Sequence, residues 1–183
     1  LDATAKTSHC TITEVVAKEY GLPLNPKPLK IFTQSGDDVR TNADKMILKG
    51  VDVLPHGLIN DPKEKVGVGG EKLKELVGWL KNRILEHRLD EGYFPEMHFD
   101  VYGTLGIVFE NNIERIVDYL ATLEEEAAPF YLRIEGPIDA GSRDGQIEAM
   151  KTMRRLIDRK GIAVEIIADE WCNTLDDIQL FAK

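Results

Sequence analysis

The sequence predicts an α/β fold: part of a (β/α) TIM-type barrel, with about five βα units after an opening helix and the barrel left incomplete. Three observations lead there. Short segments rich in β-branched and aromatic residues alternate with amphipathic stretches of helical length, the pattern of right-handed crossovers onto a parallel sheet. The intervals from Tyr102 to Tyr131 and from Glu135 to Val164 each leave room for one crossover helix and two loops. Five units fall short of the eight, over about 250 residues, that close a barrel, and the 183-residue chain ends within a helical pattern. A doubly wound domain would also use five units. The helical ending favours a single incomplete barrel segment, residues 1–183, and a first residue other than Met suggests a chain cut from something larger.

The opening helix covers Thr11–Tyr20. Thr11 and Glu14 have capping-box spacing, and Gly21 and Pro23 close it. Strands are expected at Lys30–Gln34, Val51–His56, His98–Tyr102, Tyr131–Glu135 and Val164–Asp169. The clearest amphipathic helices are Glu71–His87, Ile113–Leu123 and Ile147–Ile157; the first carries Leu73, Leu76, Leu80 and Ile84 on one face. A last helix begins near Leu175 and runs to Lys183. The run Gly67-Val68-Gly69-Gly70 lacks both the Gly-Lys-Ser/Thr ending and the GxGxxG spacing, so it reads as a flexible helix entry and not a phosphate loop.

Composition excludes several classes. A net charge of −9, with acids and bases interspersed, provides no basic stripe for a phosphate backbone, so no nucleic-acid partner is expected. No apolar run approaches the ~18 residues of a membrane span, and the opening Leu1-Asp2-Ala3-Thr4 shows neither a basic n-region nor an apolar h-region. The two cysteines, Cys10 and Cys172, fit no metal or redox spacing, which favours a reducing cytoplasm.

The strongest chemical signal is Asp100, Glu135 and Asp169, spaced 35 and 34 residues apart, one βα unit each. Each falls at the C-terminal end of its strand, and in a parallel barrel those ends meet at one mouth. Period-2 alternation turns Phe99, Val101 and Ile134 toward the helices and the three acids inward, with Arg133 and Glu165 one turn deeper. Three inward acids call for a counter-charge. A hard divalent cation with oxygen ligands meets that need, and Mg²⁺ suits a site that keeps positions open for water and substrate. Helix capping is the plainer role for such acids, but the following helices have caps of their own in Asn111, Asp144 and Thr174. Gln34 and His56 end the first two strands. Gln34 is able to donate to a substrate carboxylate and His56 to act as acid or electrostatic donor, although polar residues at strand ends also cap loops. His98 is expected to pack beneath the site, His87 to be solvated on a helix end, and Cys172 to be a small loop or core residue.

The strings KIFTQSGDD, VDVLPHGLIN, HFDVYGTLG, LRIEGPID and IADEWCNT, in this order, resemble the methylaspartate ammonia-lyase family of the enolase superfamily. The resemblance runs across essentially the whole chain. It implies Mg²⁺ on Asp100, Glu135 and Asp169, substrate contact from Gln34, and assistance from His56 on the substrate face opposite the base. It also implies elimination of ammonia from L-threo-3-methylaspartate, an amino dicarboxylate, to give mesaconate in fermentative glutamate breakdown. The enzymes of this family are cytoplasmic homodimers often helped by potassium, K⁺. Their base is a lysine on a sixth strand, and a capping domain precedes their barrel. The resemblance implies that this segment carries neither these last strands nor that domain, so the segment alone is expected to be inactive. Another lyase or isomerase of the superfamily, or a non-catalytic fragment, would share parts of this pattern.

Overall fold

The computed structural model describes residues 1–24, 27 and 29–182. Helices α1 (Asp2–Thr7), α2 (Ile12–Tyr20) and α3 (Val39–Leu48) lead into strand β1 (Val53–Leu58). A π-helical turn (Pro62–Val66) and α4 (Glu71–His87) connect to β2 (Glu96–Asp100). Then follow α5 (Thr104–Val108), α6 (Ile113–Ala127), β3 (Leu132–Glu135), α7 (Arg143–Lys160), β4 (Val164–Ile167) and α8 (Leu175–Phe181). The four strands lie parallel in the order β1-β2-β3-β4.

The sheet has two unlike faces. Leu54, Met97, Phe99, Leu132, Ile134, Val164 and Ile166 point to one side and form a single core with Leu73, Leu80, Ile84, Ile116, Leu120, Leu123, Met153 and Ile157 from α4, α6 and α7. The alternate residues, among them His98, Asp100, Arg133, Glu135 and Glu165, face the other side, as the period-2 pattern requires. That second face is ionic. Arg133 meets Glu165 at 2.7 Å and Glu96 at 3.0 Å, and Lys30 pairs with Glu96.

Local signals explain the helix ends. The Thr11–Glu14 and Thr174–Asp177 capping boxes both form. Two other expected caps shift: Asn112, not Asn111, caps α6, and Ser142, not Asp144, caps α7. In each case the side chain that accepts sits immediately before the first helical residue, accepting from the N–H three positions on. The glycine run before α4 is the expected helix entry. Gly67 and Gly70 both adopt φ 90, and Glu71 reaches back to accept from Val68 and Gly69 N–H.

One expectation fails. Lys30–Gln34 does not form a strand, so among the described residues four strands and not five make the sheet. The segment lies alongside β1 and touches it through isolated bridges, Phe32 with Val53 and Gly36 with Gly57. Thr33 and Ser35 donate to Val53 and Pro55 carbonyls, but Pro55 has no N–H to return and the register of β1 slips between Pro55 and Gly57. A continuous ladder cannot close against such an edge. The last helix ends at Phe181, and Lys183 lies outside the described residues.

Phe99 is fully buried between the sheet and its helices, whereas Leu89 is 85% exposed. Phe99→Ala is expected to lower unfolding free energy by about 3–5 kcal/mol and Leu89→Ala by no more than about 0.5 kcal/mol, read by denaturant titration. Similar losses for both would contradict the assigned core.

Candidate metal centre

Register sets the level at which the acids meet. Asp100 and Glu135 are direct partners across β2 and β3. Glu135 pairs with Ile167 across β3 and β4, which leaves Asp169 two residues further along the same face. Backbone bonds carry this alignment past the strands: Val101 N–H donates to Glu135 O (2.9 Å), Gly136 N–H to Ile167 O (3.0 Å) and Gly103 N–H to Gly136 O (2.7 Å). The chain then turns through left-handed residues, Tyr102 (φ 48), Gly136 (φ 57) and Trp171 (φ 67). Tyr102 and Trp171 pay a steric cost there that glycine would not, a feature common at functional sites. The loop after Glu135 is pinned by buried Gln146, which accepts from Ala140 N–H (2.8 Å) and donates to Ile138 O (2.7 Å).

One carboxylate oxygen from each of Asp100, Glu135 and Asp169 lies within 4.8 Å of the other two. Asp100 is buried, Glu135 half-buried and Asp169 exposed. Burial raises the Asp100 carboxyl above its ordinary range, and the charge of Glu135 adds to that, against hydrogen bonds from the Tyr102 backbone N–H, at 3.2 Å, and from the Tyr102 side chain. Glu135 is shifted the other way, chiefly by a hydrogen bond from His98. Arg133 does not relieve the cluster, because its charge is committed to Glu165 and Glu96. An all-oxygen, acid-rich set at this spacing fits a hard divalent cation better than a softer one.

His56 enters from β1. It is the extra residue of the irregularity between Pro55 and Gly57, with φ 43, so the backbone re-aims its ring across the sheet. Its Nε2 sits 3.4 Å from Glu135 Oε2 and 3.9 Å from Asp100 Oδ2, without hydrogen-bonding either. Phe32 packs on both His56 and His98, with ring centroids 5.0 Å apart in each pair. Gln34 is exposed on the extended segment beside β1, two residues beyond Phe32 and therefore on the same face. The structure thus gathers four of the five expected residues around Glu135 and sets Gln34 on the neighbouring segment.

His98 does more than pack beneath. Its Nε2 lies 2.7 Å from Glu135 Oε2, and the pair forms a second constellation with His56 that shares Glu135 with the acid trio. The signal was available: His98 precedes Asp100 by two residues and so shares its face. His87 is half-buried at the end of α4, beside Glu86 at 3.5 Å, rather than fully solvated. Cys172 is a half-exposed free thiol that burial shifts upward.

The two acids on β2 and β3 have opposite effects on metal-free stability. A raised Asp100 means that its charge costs stability at neutral pH, a cost removed as pH falls below its raised value. A lowered Glu135 contributes stability above its ordinary 4.5, lost as pH falls through its depressed value. With chelator at pH 7, Asp100→Asn is expected to raise the melting temperature. Glu135→Gln is expected to reduce stability by about 1–3 kcal/mol through its weakened bond to His98. Equal losses in both variants would contradict these environments.

The family model for the methylaspartate ammonia-lyase C-terminus matches residues 23–183. Methylaspartate ammonia-lyase 2 of Carboxydothermus hydrogenoformans is 59% identical over 182 residues, covering 100% of this chain and 44% of the relative. The Clostridium tetanomorphum enzyme is 51% identical over 183 residues, covering 99% and 44%. The chain therefore spans less than half the length of these relatives. Among solved structures, β-methylaspartase from Clostridium tetanomorphum in a Mg complex superposes with TM-score 0.86 at 49% identity, covering 98% of this chain and 44% of that one. Methylaspartate ammonia lyase from Citrobacter amalonaticus containing (2S,3S)-3-methylaspartic acid gives 0.87 at 50% identity, with the same coverage. In sequence and structure alike, this chain belongs to the methylaspartate ammonia-lyase family.

Proposed function

We propose that this chain is the metal-carboxylate part of a carbon–nitrogen lyase that eliminates ammonia from L-threo-3-methylaspartate to give mesaconate. The carrying observation is the meeting of Asp100, Glu135 and Asp169 within 4.8 Å, with the His56 imidazole beside them. The related enzymes crystallised with Mg and with methylaspartic acid support the same metal and substrate class here. The parallel sheet is then an incomplete (β/α)-barrel segment, with the capping domain and remaining strands in other parts of the protein. The base lysine belongs to one of those strands.

Each side chain has a separable task. Asp100, Glu135 and Asp169 would hold the Mg²⁺. When bound, the ion supplies Lewis-acid stabilisation to a substrate carboxylate that gains charge as the neighbouring proton leaves. Gln34 donates an amide N–H to the substrate, and His56, re-aimed by its bulge, presents an imidazole proton donor from β1. The ionic layer of Arg133, Glu165 and Glu96 lies beneath the acids on the same sheet face and stays partly open to solvent. A homodimer acting in the cytoplasm on amino-acid breakdown, with K⁺ as an accessory ion, completes the proposal; among the described residues no helix is long and apolar enough to cross a membrane.

The test is ammonia release and mesaconate formation by the protein extended through the missing strands. Turnover is expected with Mg²⁺, absent with chelator, and reduced by about 10²–10³-fold or more in Glu135→Gln. Turnover indifferent to chelator and to Glu135→Gln would overturn the proposal. Mg²⁺ affinity is also expected to weaken on acidification, beginning above the ordinary aspartate range because Asp100 holds its proton more tightly than an exposed acid. Calorimetric titrations between pH 4 and 8, a window of about that width around the carboxylate values, check this; affinity constant down to the low end would contradict it.

A further inference from the structure

We propose that His98 is a positioning residue: its Nε2–H fixes the Glu135 carboxylate for the cation without His98 itself being a ligand. The inference rests on the metal-site reading above and deepens it.

The geometry is specific. The Nε2–Oε2 distance of 2.7 Å is at the short end for N–H···O and typical of a bond to an ionised acceptor. A carboxylate only accepts, so the hydrogen is assigned to Nε2. His98 is 4% exposed, and its Nδ1 is buried without a hydrogen-bond partner. The ring therefore spends its one donor on Glu135 and serves no other polar group there. Phe32 and His56 hold it in place, with centroids 5.0 Å away at interplanar angles of 58° and 66°. Asp100, by comparison, accepts a 3.2 Å backbone N–H and a weaker side-chain bond from Tyr102, and Asp169 is exposed. Glu135 is thus the trio member with the strongest side-chain support, and it is common to both constellations.

A space-filling histidine predicts something different. If shape were all that mattered at this buried position, leucine would serve as well, and an orphaned Nδ1 would be a cost without purpose. Outer-shell partners that orient a ligand change metal affinity even though they never touch the metal.

The experiment uses the full-length protein that carries this chain, stripped of metal and titrated with Mg²⁺ by calorimetry. His98→Leu is expected to weaken binding about 10–100-fold, and saturating Mg²⁺ to restore most of the activity. His98→Gln, whose amide reaches where Nε2 stands, recovers most of the affinity. His98→Asn, whose amide stops at the level of Nδ1, does not, and this pair of polar variants carries the comparison if His98→Leu fails to fold. Equal Mg²⁺ affinity in the Gln and Asn variants, or parental affinity in Leu, overturns the inference. Glu135→Gln is the control: lost binding there with parental binding in the His98 variants sinks the His98 role alone, whereas parental binding in Glu135→Gln sinks the metal site with it.

Discussion

Three carboxylates brought within 4.8 Å of one another repel, and most of the structure near the sheet's polar edge answers that repulsion. At an effective dielectric near 20 each pair of charges costs on the order of 3–4 kcal/mol. The chain responds by giving the three acids different surroundings. Asp169 stays in solvent, Glu135 receives the His98 donor, and buried Asp100 is left holding its proton more tightly. A divalent cation would remove the conflict in one step. On the proposed reading, that repulsion is what binding of the ion would relieve.

Such a cluster is tolerable only on a rigid frame. The sheet supplies one by burying its other face so thoroughly that Met97, Phe99 and Ile134 are wholly withdrawn from water. Parallel strands are usually covered on both faces. Here the helices cover one, and the other carries the ionic layer of Arg133, Glu165, Glu96 and Lys30 beneath the carboxylates. Neighbouring strands hold the acids in register, and the backbone bonds from Val101 to Glu135 and from Gly136 to Ile167 extend that register into the loops. The geometry of the carboxylate cluster is in this sense a by-product of a well-packed core on the opposite face of the sheet.

Much of this was legible in the sequence, for reasons that differ by residue. Asp100, Glu135 and Asp169 could be found because one βα unit separates each from the next and period-2 alternation fixes their direction. The Thr11 and Thr174 caps carried their own signature. The Lys30–Gln34 segment misled because strand propensity describes a segment, while a ladder also needs a willing partner, and Pro55 with the bulge at His56 denies it one. The caps at Asn112 and Ser142 were displaced because neighbouring polar residues compete for the same helix end. His98 was placed correctly but undervalued: alternation gave its face, whereas the 2.7 Å approach to Glu135 depends on interstrand register, which no single strand encodes.

The central claim is that Asp100, Glu135 and Asp169 share one divalent ion. A crystal of the full-length protein soaked in Mn²⁺, as an anomalously scattering substitute for Mg²⁺, tests it most directly. The account predicts a single anomalous peak bounded by an oxygen from each of the three carboxylates, with His98 still bonded to Glu135. A peak on the imidazoles of His56 and His98, or none among the three acids at saturating Mn²⁺, would contradict it.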